Sequence, residues 1–121
     1  VSDPIGLGSF YYDSHLYNRW VKGGAVVTER NPNGDVLAYP ISLRTLMPKS
    51  GQASNLLVSV CVSASHSAFT SLRVEPTYMI MGQAAGAVAA LAAEMKLPVQ
   101  SVPYARLAQT LQNQGQILHL P

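Results

Sequence analysis

Side chains suited to proton transfer or charge stabilisation gather in one short stretch of the sequence. His66 lies in a polar loop predicted over Ser63–Arg73, and Glu75 follows it closely. Histidine titrates near neutral pH and arginine keeps its positive charge, so His66 and Arg73 suit proton transfer, substrate orientation or stabilisation of a negative charge. A loop-fixing hydrogen bond, or an ion pair between Arg73 and Glu75, explains the same residues equally well.

The other polar residues give weaker signals. His15 lies near Asp13 after a run of aromatic residues, a setting that suits the substrate side of a site, although a single histidine is more often structural. The three histidines are far apart and form no ligand spacing with carboxylates or the single cysteine, so no metal site is predicted. Serines flank His66, but a G-x-S-x-G motif is absent, so no hydrolase triad is predicted.

A helix from Pro76 to Met95 is the element that the sequence marks best. Pro76 suits the first turn of a helix, Glu75 places an acidic side chain at its start, and the helix is predicted to end near Lys96. This helix directly follows the polar loop. Its N-terminus must therefore position the candidate residues around it.

Small residues recur along this helix, at Gly82 and Gly86 and at several alanines between them and Met95. An interior glycine costs a helix about 1 kcal/mol relative to alanine, so this pattern indicates close approach by neighbouring backbone or by a ligand. Close helix–strand packing is the preferred interpretation of the pattern alone. A membrane helix is the alternative, but the apolar run falls short of the usual ~20 residues and contains Gln83, so no membrane span is predicted.

Several strands and a second helix complete an α/β pattern. Residues Val1–Gly8 are predicted to be irregular, and a β-hairpin is predicted from Ala25–Arg30 and Val36–Leu46, with its turn at Asn31–Gly34. The apolar, branched run Leu56–Val62 predicts a strand buried on both faces. It is followed by the long helix and by a second helix, which starts after Pro103, runs through Leu107 and Leu111 to about Gln114 and stops at Gly115.

Composition limits the functional classes. With 121 residues there is one domain at most, and 48% hydrophobic against 12% charged residues suits a piece that packs against more protein or self-associates through an exposed apolar surface. The net charge of +2 comes without a basic run, so no nucleic-acid partner is predicted. Cys61 is predicted to be a buried, unreactive thiol. The start at Val1, without a signal segment, predicts that upstream sequence is missing, and the compartment stays open between cytoplasm and periplasm or secretion.

Four motifs occur in order and at close spacing: Asn55-Leu-Leu-Val58, Ser63-Ala-Ser-His66, Arg73-Val-Glu-Pro76 and Gly82-Gln-Ala-Ala-Gly86. Together they resemble the C-terminal portion of a bacterial FAD-dependent oxidoreductase family, some members of which carry a xanthan lyase label. The upstream segments Asp13-Ser-His15, Arg19 and Tyr39-Pro-Ile-Ser-Leu-Arg44 are similar to the same family. The resemblance runs over most of the chain, although no residue here supports lyase chemistry.

The resemblance implies a C-terminal fragment of a two-domain flavoprotein with FAD as cofactor. Residues 1–38 would end the substrate-facing domain, and residues 39–121 would be the return segment of the FAD-binding domain. The implied catalytic residues are His66 and Arg73. The implied cofactor contacts are Ser65, Glu75, Pro76, Met81, Gly82 and Gln83.

The expected partners are a missing N-terminal FAD-binding half and a small-molecule substrate, possibly sugar-like. The glycine-rich G-x-G-x-x-G turn that cradles the pyrophosphate is absent from this sequence, so the fragment alone is expected to bind FAD weakly and to be inactive. The second hypothesis is a stand-alone, non-catalytic α/β module that serves binding or structure.

Overall fold

A computed structural model describes residues 1–13, 18–28 and 35–120, and these form a mixed α/β fold. The described residues contain two two-stranded antiparallel sheets. In chain order the elements are β1 (Pro4–Gly8), β2 (Arg19–Lys22), β3 (Ala25–Thr28), β4 (Tyr39–Ser42), a 3-10 helix (Leu43–Leu46), α1 (His66–Leu72), α2 (Glu75–Met95), a 3-10 helix (Val99–Ser101) and α3 (Tyr104–Asn113). The predicted α/β class is confirmed.

The first sheet pairs β1 with β4, so the prediction that Val1–Gly8 is irregular is wrong. Proline and two glycines give this segment little intrinsic strand preference, and its pairing comes from a strand distant in sequence. Gly6 lets β1 lie directly on α2, because a Cβ built there would stand 2.3 Å from Ile80 Cγ2. The sheet also joins residues on both sides of the domain boundary predicted at residue 38, and that division stays a prediction.

The second sheet is a hairpin of β2 and β3, not the hairpin that the sequence predicted. The two strands are joined by Gly23 and Gly24, whose φ values of 60° and 78° suit the two-residue turn that hairpins prefer. The predicted turn at Asn31–Gly34 lies outside the described residues. The local Gly-Gly turn was therefore the better signal for strand pairing.

Both predicted helices are confirmed. Helix α2 ends at Lys96, whose φ of 53° is left-handed, and Gly115 follows α3 with a φ of 82°. One face of α2 enters the core with α3, β1 and the turns around them, where its fully buried residues include Met81, Ala84 and Val88.

The run Leu56–Val62 is not a strand, and Cys61 is exposed, so both of these predictions are wrong. Among the described residues, one backbone hydrogen bond holds the run, from Val58 N–H to Leu46, and a second follows directly after it, from Ser63 N–H to Thr45, each 2.8 Å. An apolar run adopts a buried strand only where a sheet receives it, and no described strand lies beside this one.

Candidate functional site

Helix α1 occupies the segment that was predicted to be a polar loop. Ser65 caps it, because its hydroxyl accepts a hydrogen bond from the backbone N–H of Ala68 at 3.2 Å. A serine before three helix-compatible residues is a favourable N-cap, so the loop interpretation is wrong for His66–Leu72. The cap gives Ser65 a structural role at the start of α1.

The N-terminus of α2 presents unpaired backbone donors. Val74 precedes the helix in an extended conformation and gives no side-chain cap. Pro76 has no N–H, and the N–H groups of Glu75 and Thr77 have no hydrogen-bond partner among the described residues. Free N–H groups and the helix dipole together place about half a positive charge at this point.

These donors lie at the edge of a cleft of about 310 Å³. One wall is the end of β1 and the two residues after it, and the other is the start of α2; the lining residues are Leu7, Gly8, Ser9, Phe10, Val74, Pro76, Thr77 and Ile80. Small-molecule sites measure about 300–1,000 Å³. The cleft therefore has room for one ring system of a ligand and not for a whole dinucleotide.

Side chains from α1 and β4 support the wall of the cleft from behind. The Ser71 hydroxyl donates to the carbonyl of Phe10 at 2.5 Å and lies 2.7 Å from the Tyr39 hydroxyl. Burial raises the pKa of Tyr39, and the nearby Tyr12 adds to the rise. Tyr39 is therefore a neutral hydrogen-bonding group at physiological pH.

Arg73 contacts the chain just beyond this wall. Its guanidinium donates to the Asp13 carbonyl at 2.8 Å and contacts the Asp13 carboxylate at 3.1 Å. The alternative pair of Arg73 with Glu75 is absent from the ion pairs of the described residues. Of the two structural interpretations, the loop-fixing contact is the one that the fold makes.

The predicted catalytic residues are not brought together. His66 is the first residue of α1 and Arg73 is its C-cap. At 1.5 Å per residue these positions are about 10 Å apart along the helix axis. His66 is exposed, while His15, the weaker candidate, lies outside the described residues.

The predicted cofactor contacts are also divided between places. Glu75 and Pro76 are at the start of α2, whereas the Met81 side chain is fully buried in the core and closed to a ligand. Gly82 and Gln83 lie on the opposite, exposed face of the helix, where Gln83 donates to Gln114 at 3.1 Å. The predicted contact is made by the backbone from Pro76 to Gly82, and it stays a prediction.

Residues 1–111 match the family described as FAD dependent oxidoreductase. The chain belongs to this family. No curated protein and no solved structure matches the chain.

Membership of the FAD dependent oxidoreductase family gives the α2 N-terminus a chemical context. FAD is the cofactor of the family. The match carries neither a bacterial origin nor the lyase label, and both stay predictions. The alternative of a non-catalytic module has no observation in its favour.

Within residues 1–13, 18–28 and 35–120, no group of three or more His, Cys, Asp or Glu side chains is placed to hold a metal ion. Helix α2 is long and apolar enough to cross a membrane by length and composition. A core helix passes the same test, and one face of α2 packs in the core.

Sequence reasoning missed the residues that shape the cleft: Gly6, Phe10, Tyr39 and Ser71. Gly6 gave a usable signal, since a glycine inside a strand often marks a close backbone approach. Ser71 gave none, because its partners are distant in sequence.

Proposed function

We propose that this chain forms the part of an FAD-dependent oxidoreductase that lines the flavin ring and the substrate site. The observation that carries the proposal is the pair of free N–H groups, on Glu75 and Thr77, beside the cleft at the start of α2. FAD, when bound, accepts a hydride from a substrate carbon, and the accompanying proton leaves to a base.

The N-terminus of α2 stabilises negative charge in this cleft. Its free donors and the helix dipole favour an anionic neighbour by about 0.3–1 kcal/mol, and by up to ~2 kcal/mol where the site is partly buried. Pro76 keeps the first turn helical without adding a competing donor. The cleft therefore favours a ring that becomes more negative on reduction.

A dinucleotide-binding half of the protein would cover two apolar regions that this chain leaves bare. The first is the outer face of α2, where Cβ atoms built on Gly82 and Gly86 meet nothing within 4 Å. The second is the run Leu56–Val62, in which Leu56 and Val60 are exposed. A sheet edge of the dinucleotide-binding half would bury the run Leu56–Val62, and its backbone, packed closely on the glycines, would bury the outer face of α2.

His66 is the proposed group for proton transfer. It lies exposed at the start of α1, and histidine is the side chain most often used for this transfer. The substrate class proposed is a small, sugar-like alcohol. In the holoenzyme, His66→Gln is expected to lower turnover without changing FAD content, and an unchanged pH–rate profile would remove His66 from this role.

The donor at Glu75 can be tested by a matched pair of variants. Glu75→Pro removes both the carboxylate and the N–H, and the extended Val74 before it is compatible with proline. Glu75→Ala removes the carboxylate alone. One lost hydrogen bond of about 0.5–1.5 kcal/mol corresponds to about 10–30 mV in a two-electron potential.

We therefore expect the flavin midpoint potential of the holoprotein to be about 10–30 mV lower in Glu75→Pro than in Glu75→Ala. Potentiometric titration with a reference dye measures this difference. Equal potentials in the two variants would show that the α2 N-terminus does not face the flavin.

The docking surface can be tested separately with Gly86→Leu. The new side chain points into open space, so this chain should fold unchanged but lose assembly with the dinucleotide-binding half and with it FAD retention. Gln112→Leu, at an exposed position of α3, is the control. Light scattering of the chain alone tests self-association through the same surface, and assembly that survives Gly86→Leu would contradict the docking proposal.

A further inference from the structure

We infer that Ser71 and Arg73 are positioning residues that set the width of the cleft at the start of α2. The inference rests on the proposed function, because it assigns these residues to the flavin site through the backbone they hold. Neither side chain needs to touch the cofactor. Their role is to tie Phe10–Asp13, which continues one wall of the cleft, to the stretch of chain that forms the other.

Ser71 is the inner anchor. Its side chain is 1% exposed, and its single hydroxyl proton is directed at the Phe10 carbonyl. The Tyr39 hydroxyl, 2.7 Å away, must therefore donate to Ser71. The three groups form a chain of hydrogen bonds from β4 through α1 to the cleft wall, and each member fixes the next.

Arg73 is the outer anchor. It holds Asp13, which lies three residues after Phe10 in the segment. Its Nη2 makes two contacts with one residue, at the carbonyl and at the carboxylate of Asp13. Its side chain is 30% exposed, so the contact is partly protected from water. The two anchors together fix how far the segment Phe10–Asp13 lies from α1 and the direction in which it runs.

The two anchors set the width of the cleft because they lie next to α2 in the chain. Only Val74 separates Arg73 from the first residue of α2, so the anchors and the donors at Glu75 and Thr77 belong to one continuous stretch. Among the described residues, no backbone–backbone hydrogen bond holds residues 10–13. The position of this wall relative to α2 therefore depends on the side chains of Ser71 and Arg73.

Two variants remove the anchors and one provides a matched control. Ser71→Ala and Arg73→Gln delete the contacts with Phe10 and Asp13. Thr70→Val is the control, because Thr70 is buried on the same helix but its hydroxyl bonds only within that segment, to the Ser67 carbonyl. Tyr39→Phe should have a smaller effect than Ser71→Ala, since it leaves the bond to Phe10 in place.

The first measurement is amide hydrogen exchange of the whole chain, followed in the peptides that cover β1, whose pairing with β4 protects backbone amides and which leads directly into residues 10–13. Loss of a hydrogen bond worth about 1 kcal/mol predicts exchange about fivefold faster in Ser71→Ala and Arg73→Gln. Thr70→Val should stay at the wild-type rate. Wild-type rates in both anchor variants would overturn the inference, and if Ser71→Ala does not fold, Arg73→Gln and Tyr39→Phe still decide it.

The second measurement is the visible absorption and circular dichroism of the flavin in the holoprotein. A displaced wall changes the environment of the ring, so both anchor variants should shift these spectra while Thr70→Val does not. Faster exchange with unchanged flavin spectra would overturn the positioning role. Absence of FAD from the wild-type holoprotein would overturn the proposed function as well, and the exchange rates would then show separately whether the anchors hold the segment.

Discussion

The two faces of α2 are built from similar residues but have different surroundings. On the inner face, Met81 and Val88 are 0% exposed and pack in the core. On the outer face, Met79 is 74% exposed, and Gly82 and Gly86 have open space above them. One face of this helix is thus packed within the chain, and the other is exposed.

Helix α3 shows the contrast within the same molecule. Its buried residues, Leu107 and Leu111, lie one turn apart, and the remainder of its surface is polar or small. Packing against one neighbouring helix, α2, is enough to bury the apolar side of such a helix. The difference supports the proposal that the outer face of α2 receives another protein surface, and the stability contributed by each face can be tested residue by residue.

The largest expected effect comes from a pair of methionines on opposite faces. Met81→Ala should lower the free energy of unfolding by about 2–5 kcal/mol, because it removes a fully buried side chain and leaves a cavity. Met79→Ala is the control and should change it by less than about 0.5 kcal/mol. Urea denaturation followed by circular dichroism measures both.

Equal losses in the two methionine variants would break the comparison. They would mean that the outer face is already covered in the isolated chain, as it would be in a self-associated form. Repeating the titration at several protein concentrations distinguishes that case, since only an associated state gives a concentration-dependent midpoint.

A pair of glycines gives an intermediate effect of opposite sign. Gly6→Ala should cost about 1–3 kcal/mol, because the new methyl group would overlap Ile80 on α2. Gly86→Ala should instead stabilise the chain by about 1 kcal/mol, since alanine is the better helix former and the position is open. Thermal unfolding compares the two variants, and a loss of stability in Gly86→Ala would show that something in this chain contacts the outer face.

The helices were predictable because their signals are local. Pro76 and Glu75 mark the start of α2, and Gly115 marks the stop after α3, within a few residues of the elements that they bound. The small-residue pattern of α2 was also visible. Its preferred interpretation, packing against a strand, is not what Gly82 and Gly86 do in this chain, where nothing approaches them.

Strand pairing and the cleft were not predictable, because they depend on contacts between distant residues. The glycines and proline of β1 reduce its strand preference, and β4 supplies the pairing from far along the chain. The run Leu56–Val62 has the composition of a buried strand without a sheet to receive it. Of the candidate site, the sequence indicated the helix N-terminus, whereas the opposite wall at Phe10 depends on Ser71 and was missed.

Alkaline pH should lower the free energy of unfolding, because Tyr39 then ionises. The folded-state pKa of Tyr39 is raised above 10.0, chiefly by burial, so its stabilisation is complete below about pH 10 and is lost as the pH rises through the folded-state value. The free energy of unfolding of Tyr39→Phe should therefore fall less with rising pH than that of wild type. Tyr11→Phe, at an exposed ring, is the control, and parallel pH profiles for Tyr39→Phe and wild type would contradict this assignment.

The smallest expected effect belongs to Gln83 on the outer face. Its hydrogen bond with Gln114 joins two exposed side chains, so Gln83→Ala should change the free energy of unfolding by less than about 0.5 kcal/mol. Gln83 also lies eight residues after Glu75, about 12 Å along the axis from the free donors.

A ring held at the α2 N-terminus does not reach that far, so the FAD affinity of the holoprotein should also stay within about twofold of wild type, as flavin fluorescence would measure. A loss of about fivefold or more, close to one hydrogen bond, would return Gln83 to the cofactor site. The outer face of α2 would then bind the cofactor as well as protein. The two faces would differ in that the inner one packs in the core and the outer one contacts a ligand.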